Sequence, residues 1–227
     1  MGAAEISGNT TGRVANKGME GLAITPDGKT LVGIMQNALI QDAALGGAAQ
    51  NLLRIVTIDI RTGTTHEYGY LLTTGTGVSE ILALNQHEFL VDERDGKGHG
   101  DNGSKAKIKQ IFKIDLAGAV DISAMDGLTA ATHAVAKPSS PFLDIVAALT
   151  APPLSLDSTL IPSKIEGIAL GPDVYNGHTK LHTLWVANDN DFEKTVPDAK
   201  GNQVDNPNQF FVFGFTHADL AGSKLVP

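Results

Sequence analysis

Three glutamates recur in matching surroundings: Glu20 in "MEGLAI", Glu80 in "SEILAL" and Glu166 in "IEGIAL". Each stands just before a short apolar run and has no obvious partner beside it. If the fold brings them together, their carboxylates repel and raise one another's pKa until a cation neutralises them. Ca2+ is the expected cation, since it accepts six to eight oxygens in flexible geometry; Mn2+, Mg2+ or Zn2+ are the alternatives. Polar clusters follow each apolar pair of strands: Gln36-Asn37, Glu93-Arg94-Asp95 and Asn188-Asp189-Asn190-Asp191. Aligned, they put Gln36, Arg94 and Asp189 in one column and Met35, Glu93 and Asn188 in its neighbour. Only alternate residues of a strand share a face, so not all of these can act together.

The expected metal ligands are Glu20, Glu80, Glu166, Asp189 and Gln36. Expected catalytic residues are Arg94, Glu93, Asp189 and His99. A metal would polarise a phosphoryl or carbonyl oxygen and acidify bound water, so hydrolysis needs no protein nucleophile. Arg94 reads either as a planar clamp on an anionic group or as a salt bridge to Glu93, Asp95 or a neighbouring carboxylate. His99, in "DGKGHGDNG", sits on a glycine-rich loop able to overhang such a site. His178 and His182 read as surface positions. Acidic strand ends are also commonly just solvated, and Asn/Asp runs commonly just make turns.

Other chemistries lack their signatures. The chain has no cysteine, which removes disulfides, thiolate nucleophiles and thiolate metal sites. No Gly-x-Ser-x-Gly or His-Glu-x-x-His occurs, Ser104 to Lys107 lacks the accompanying β-lactamase motifs, and "DNDFEK" lacks the EF-hand glycine. A net charge of -8 argues against nucleic acid and against anionic membranes. No apolar run reaches the ~18 residues that span a bilayer, and no signal peptide is visible, so localisation is left open on residues alone.

The elements that must position these residues repeat. "MEGLAITPDGKTLVGIMQN" (19–37), "SEILALNQHEFLVDERD" (79–95) and "IEGIALGPDVYNGHTKLHTLWVANDND" (165–191) each read as a hairpin. Turns are expected at Pro26-Asp27-Gly28, Asn85-Gln86 and Gly171-Pro172-Asp173. Third strands follow at 52–60, 107–116 and 209–215, and fourth strands at 65–72 and 119–124. Four antiparallel strands per repeat predict an all-β fold, a β-propeller with blades near 19–72, 78–124 and 163–215, in preference to a β-sandwich. Residues 1–15 read as a flexible leader, residues 16–227 as the propeller, and "PFLDIVAALTAPPLSL" as a short helix closed by Pro152-Pro153.

"NKGMEGLAITPDGKTLVGIMQNAL", "FLVDERD", "IFKIDLAGAVDIS" and "KIEGIALGPD…LWVANDNDF" resemble, in that order, the esterase-like activity of phytase family, or phytase-like domain. The resemblance implies a β-propeller, typically exported in bacteria to the periplasm or medium, with acidic residues lining a metal-binding channel. It implies a metal-dependent hydrolase of phosphate monoesters or triesters, with a calcium-dependent lactonase or arylesterase, or a non-catalytic metal-stabilised binding module, as alternatives. The partner is then a small ester substrate. Three blades cannot close a ring, so a homodimer completing six blades is expected.

Overall fold

In the computed structural model, residues 8–223, 225 and 226 are described. Strands dominate, with three short α-helices and one 3-10 turn, Gly47–Asn51, among the described residues. The first sheet runs β1 (Met19–Ile24), β2 (Thr30–Met35), β3 (Leu52–Asp59), β4 (Thr65–Leu71), each antiparallel to the next. Its first turn is locked by Thr25, whose hydroxyl donates to Asp27 Oδ1 at 2.7 Å, and by Gly28 at φ 69°. Alternation does the rest: Val32 and Ile34 on β2, and Leu53 and Ile55 on β3, point into one core with Tyr70, Val78, Ile81 and Phe89.

A second four-stranded sheet is ordered β5 (Gly77–Ala83), β6 (Glu88–Arg94), β7 (Lys109–Asp115), β8 (Leu143–Asp144). Its fourth strand is not 119–124 as the repeat predicts. Residues 119–124 instead turn at Gly118, φ 72°, and fasten to β4, where Ile122 N donates to Glu67 O at 2.9 Å. Arg54 fixes them there. Its Nε and Nη2 grip both oxygens of Asp42, Nη1 binds Glu67 Oε2, and the remaining hydrogens reach the carbonyls of Ile122 and Met125. A guanidinium has five N–H donors, and all five are used, which is what a nearly buried arginine requires. The vacant edge is taken by β8, which pairs Gln110 with Asp144 and Ile111 with Leu143.

The third sheet has three strands, β9 (Ile165–Asn176), β10 (Thr179–Asn188) and β13 (Phe210–Phe215), with β10 central. A separate hairpin of β11 (Thr195–Pro197) and β12 (Gln203–Asp205) lies between β10 and β13 in the chain. The expected turn at Gly171-Pro172-Asp173 is instead strand. Gly171 is there because the Trp185 ring crosses it: a Cβ would lie 2.1 Å from the indole Nε1. The real turn is Gly177-His178, with Gly177 at φ 60°.

Helix α1 covers Ile40–Ala43, α2 Gly127–Thr132 and α3 Ile145–Thr150. The last is the helix expected before Pro152-Pro153, and it starts where Asp144 caps Ala147 N at 2.9 Å. Of the expected flexible leader, residues 1–7 lie outside the described residues. Residues 12–17 are tied down: Gly12 N donates to Gln41 Oε1, Ile40 N donates to Gly12 O, and Val14 bridges Lys17. The chain forms two compact units, one holding the residues up to Val91 with Lys113–Ser139, the other Asp92–Phe112 with Ser140–Ser223.

Candidate functional site

Two of the recurring glutamates share a backbone device. In β1, Met19 pairs with Met35 and Gly21 with Ile34, which leaves Glu20 as the extra residue of a β-bulge. In β9, Ile165 pairs with Asn188 and Gly167 with Ala187, which leaves Glu166 in the same position. A bulge inserts one residue and re-aims its side chain away from the regular alternation. The glycine after each glutamate belongs to the device. In the first unit, a Cβ on Gly21 would stand 2.6 Å from Ile81 N and 2.9 Å from Glu80 C. The backbone of β1 therefore presses directly on that of β5, and the strands carrying Glu20 and Glu80 lie side by side.

Glu20 is exposed there. Glu80 is more enclosed: burial pushes its carboxyl above the ordinary glutamate value, opposed by the N–H groups of Ile81 and Leu22, which donate to it. Gln36, at the end of β2, is anchored by its backbone, since its carbonyl accepts from Val78 N at 3.1 Å. The side-chain oxygens of Gln36 and Asn37 are buried and have no hydrogen-bond partner among the described residues. An unmet amide oxygen costs free energy in the interior, and both are hard donors of the kind Ca2+ takes.

The second unit assembles a denser cluster. Arg94, at the end of β6, is mostly enclosed and is ion-paired through Nη2 with Glu166 Oε1. Lys164, two residues before Glu166, lies 3.8 Å from that same oxygen and 3.6 Å from Asp189 Oδ2, and hydrogen-bonds Asp191. Burial pulls Lys164 down, but Asp191, Glu166 and Asp189 outweigh it and hold the ammonium above the ordinary lysine value. The backbone keeps these groups in register: Asp189 N donates to Lys164 O at 3.0 Å, and Asp191 N to Asp189 Oδ1 at 2.9 Å.

Behind them, Lys109 is fully buried at the start of β7. Its Nζ donates to Asp95 Oδ1 at 2.6 Å, Asp95 O at 2.8 Å and Lys97 O at 2.9 Å. Burial lowers its pKa, against the opposing pull of Asp95. Glu93 is completely buried and is not presented to a substrate. His99 is held rather than overhanging. Its backbone bonds Ile161 O and Ser163 N, and its ring Nε2 is 2.9 Å from Asp205 O.

The structure thus gathers Arg94, Glu166 and Asp189 and adds two cations, Lys109 and Lys164, that the sequence reading passed over. Lys164 carried a signal: it is two residues before Glu166, on a strand-like period. Lys109 carried none, because its pairing with Asp95 depends on the register of β6 and β7. For a divalent ion the two units differ. Glu166 and Asp189 are already neutralised by Arg94 and Lys164, and no group of three or more His, Cys, Asp or Glu fit to hold a metal occurs among the described residues. Those carboxylates do not fit as a metal centre. The orphaned oxygens of Gln36 and Asn37 do fit a hard cation.

His182, expected at the surface, is largely enclosed; His178 occupies the hairpin turn. No helix among the described residues is long and apolar enough to cross a membrane.

Comparison with known proteins places these features. A protein of the fungus Arthroderma benhamiae, described as an uncharacterized secreted protein, is 36% identical over 103 residues. That alignment covers 37% of this chain and only 20% of the relative, so the chain matches about a fifth of that protein's length. No solved structure matches. The family model described as Phytase-like, esterase-like activity of phytase, matches residues 3–192, which include every strand of the first two sheets, the bulged glutamates and Arg94. The chain belongs to this phytase-like family, whose description points to a hydrolase-type function.

Proposed function

We propose that the chain is an ester hydrolase acting on an anionic ester, a phosphate monoester first, at the Arg94, Lys164 and Asp189 cluster. The observation that carries this reading is the convergence of Arg94 and Lys164 on a single oxygen of Glu166. Two cations focused on one carboxylate oxygen offer the geometry a phosphoryl oxygen needs, and a planar guanidinium binds such oxygens bidentately. A substrate phosphate exchanges with Glu166 on Arg94. Negative charge developing on the phosphoryl oxygens is then met by groups that are already in place. Asp189, partly exposed, accepts a proton from the attacking water, whose oxygen bonds to phosphorus as the bond to the leaving alkoxide breaks. The buried Lys109–Asp95 pair lies behind Arg94. The secreted relative supports an extracellular setting.

The test is hydrolysis of p-nitrophenyl phosphate beside a phosphotriester and a lactone, with and without chelator. Arg94→Lys keeps charge but loses the fork, and lowers kcat/KM by about 10²-fold, the scale of losing one preorganised donor. Equal rates for Arg94→Lys and the parent protein refute the assignment, as does preference for the neutral lactone.

A second reading is favoured by the buried, unpartnered oxygens of Gln36 and Asn37. They, with Glu80, would hold Ca2+ in the first unit, where the ion supplies structural stabilisation, and the protein is a metal-stabilised binding module. In that case chelator lowers Tm while no ester turns over.

A further inference from the structure

We propose that His182 and His217 form a binding site for a transition-metal cation of the Zn2+ class, apart from the acidic cluster and independent of the hydrolase reading. His182 lies on β10 with its side chain 12% exposed. Its ring packs against Phe215, 5.5 Å between centroids, and against His217, 4.6 Å. Its Nδ1 is 2.7 Å from Asp173 Oδ1. An ionised carboxylate only accepts, so Nδ1 carries the hydrogen and the lone pair of the neutral ring is on Nε2. That Nε2 faces Nε2 of His217 at 3.3 Å.

The spacing is that of two ligands on one ion. Two Zn–N bonds of about 2.0–2.1 Å at a tetrahedral angle hold their nitrogens about 3.3–3.4 Å apart. Asp173 supplies the outer carboxylate that fixes the tautomer and orientation of a metal-bound histidine. Without metal, His217 donates its Nε2 hydrogen to His182. With metal, both Nε2 lone pairs turn to the ion, and the displaced proton moves to His217 Nδ1 or to water. Water fills the other positions, since two imidazoles are the protein's share. Imidazole nitrogen favours Zn2+ or Cu2+ over Ca2+ and Mg2+.

The surroundings permit a cation. Lys180 is held on the other oxygen of Asp173, at 2.6 Å, and Asp219 is committed to Thr216 N and Oγ1. His182 stands six residues before Asn188 along β10, about 20 Å from the Asp189 end. His66 with Asp121 and His87 with Asp115 make the same 2.7 Å carboxylate–imidazole contact, but among the described residues no second imidazole packs against either ring. They serve as internal controls.

The test is calorimetric titration of the tag-free chain with Zn2+, with Co2+ absorption as a spectroscopic readout. The parent protein binds one Zn2+ in the micromolar range and gives a visible Co2+ band that Ca2+ does not displace. His217→Ala, at an exposed position, keeps the parent circular dichroism and loses both signals. Asp173→Asn weakens binding about 10–100-fold. His66→Ala changes nothing. Zn2+ binding that survives His217→Ala, or no binding at millimolar Zn2+, overturns the proposal.

Discussion

Replacing Lys109 with methionine keeps the length of its stem and removes its ammonium, which isolates what the buried charge contributes. Three hydrogen bonds vanish, to Asp95 Oδ1, Asp95 O and Lys97 O. The Asp95 carboxylate is left with two long amide contacts, from Lys97 N at 3.2 Å and Ile108 N at 3.3 Å. Removing one partner of a buried ion pair costs about 3–5 kcal/mol. Because those amides still reach Asp95, the lower end applies, about 3 kcal/mol. For a chain of this size each kcal/mol moves Tm by about 2–4 °C, so the expected fall is about 6–12 °C. Urea unfolding followed by fluorescence reports it locally, since Trp185 is the single tryptophan and lies in the same unit as Lys109. Neutralising both ends, Lys109→Met with Asp95→Asn, recovers part of the loss because no bare charge remains. The sign with pH follows from burial pulling Lys109 below the ordinary lysine value. In the interval between that lowered pKa and about 10.4, the unfolded chain holds the proton that the folded chain has released. The parent protein therefore gains stability relative to Lys109→Met as pH climbs through this interval. A loss under about 1 kcal/mol, or a double variant no more stable than the single one, refutes the reasoning.

Gly21→Ala is expected to destabilise the first unit by about 1–3 kcal/mol, because the new methyl meets backbone at 2.6 Å and the buried Ile34 at 2.8 Å; a denaturant midpoint equal to the parent's rules this out. Glu80→Gln should separate from the parent with pH. The raised carboxyl of Glu80 favours folding while protonated and loses that benefit as pH rises through its folded value, so the variant gains in Tm near pH 7 and matches the parent near pH 3. If the sheets are blades of a ring that a second copy completes, light scattering gives twice the 23.7 kDa chain mass, and a monomer mass excludes that assembly.

The strands were legible because alternation and turn chemistry are local. Val32, Ile34, Leu53 and Ile55 announce their face by spacing alone, and Pro26-Asp27-Gly28 turns where its residues require. The failures come from contacts distant in sequence. "AVDIS" has strand composition, but Arg54, some seventy residues earlier, holds the carbonyls of Ile122 and of Met125 just beyond it, and the segment fastens to β4 instead. "GPD" has turn composition, but Gly171 is needed to clear Trp185 on the facing strand, and the chain turns at Gly177. In both cases a residue type with two uses serves the less common one.

The recurring glutamate shows the same limit at the site. Its repetition was visible, and so was the glycine after Glu20 and Glu166, yet spacing alone left the convergence of three carboxylates to be neutralised by a metal. What the fold adds is a bulge at Glu20 and again at Glu166, and a different neutraliser at each. Glu20 is turned to solvent, whereas Glu166 is turned to Arg94 and Lys164. A bulge re-aims a side chain without dictating what it meets. Equivalent positions in the repeat can therefore diverge: a repeated backbone device delivers a carboxylate, and the neighbouring strand ends decide its use. By that logic the column Gln36, Arg94, Asp189 sets the chemistry of each repeat, and exchanging Arg94 for glutamine should move the second unit toward binding a cation in place of an anion.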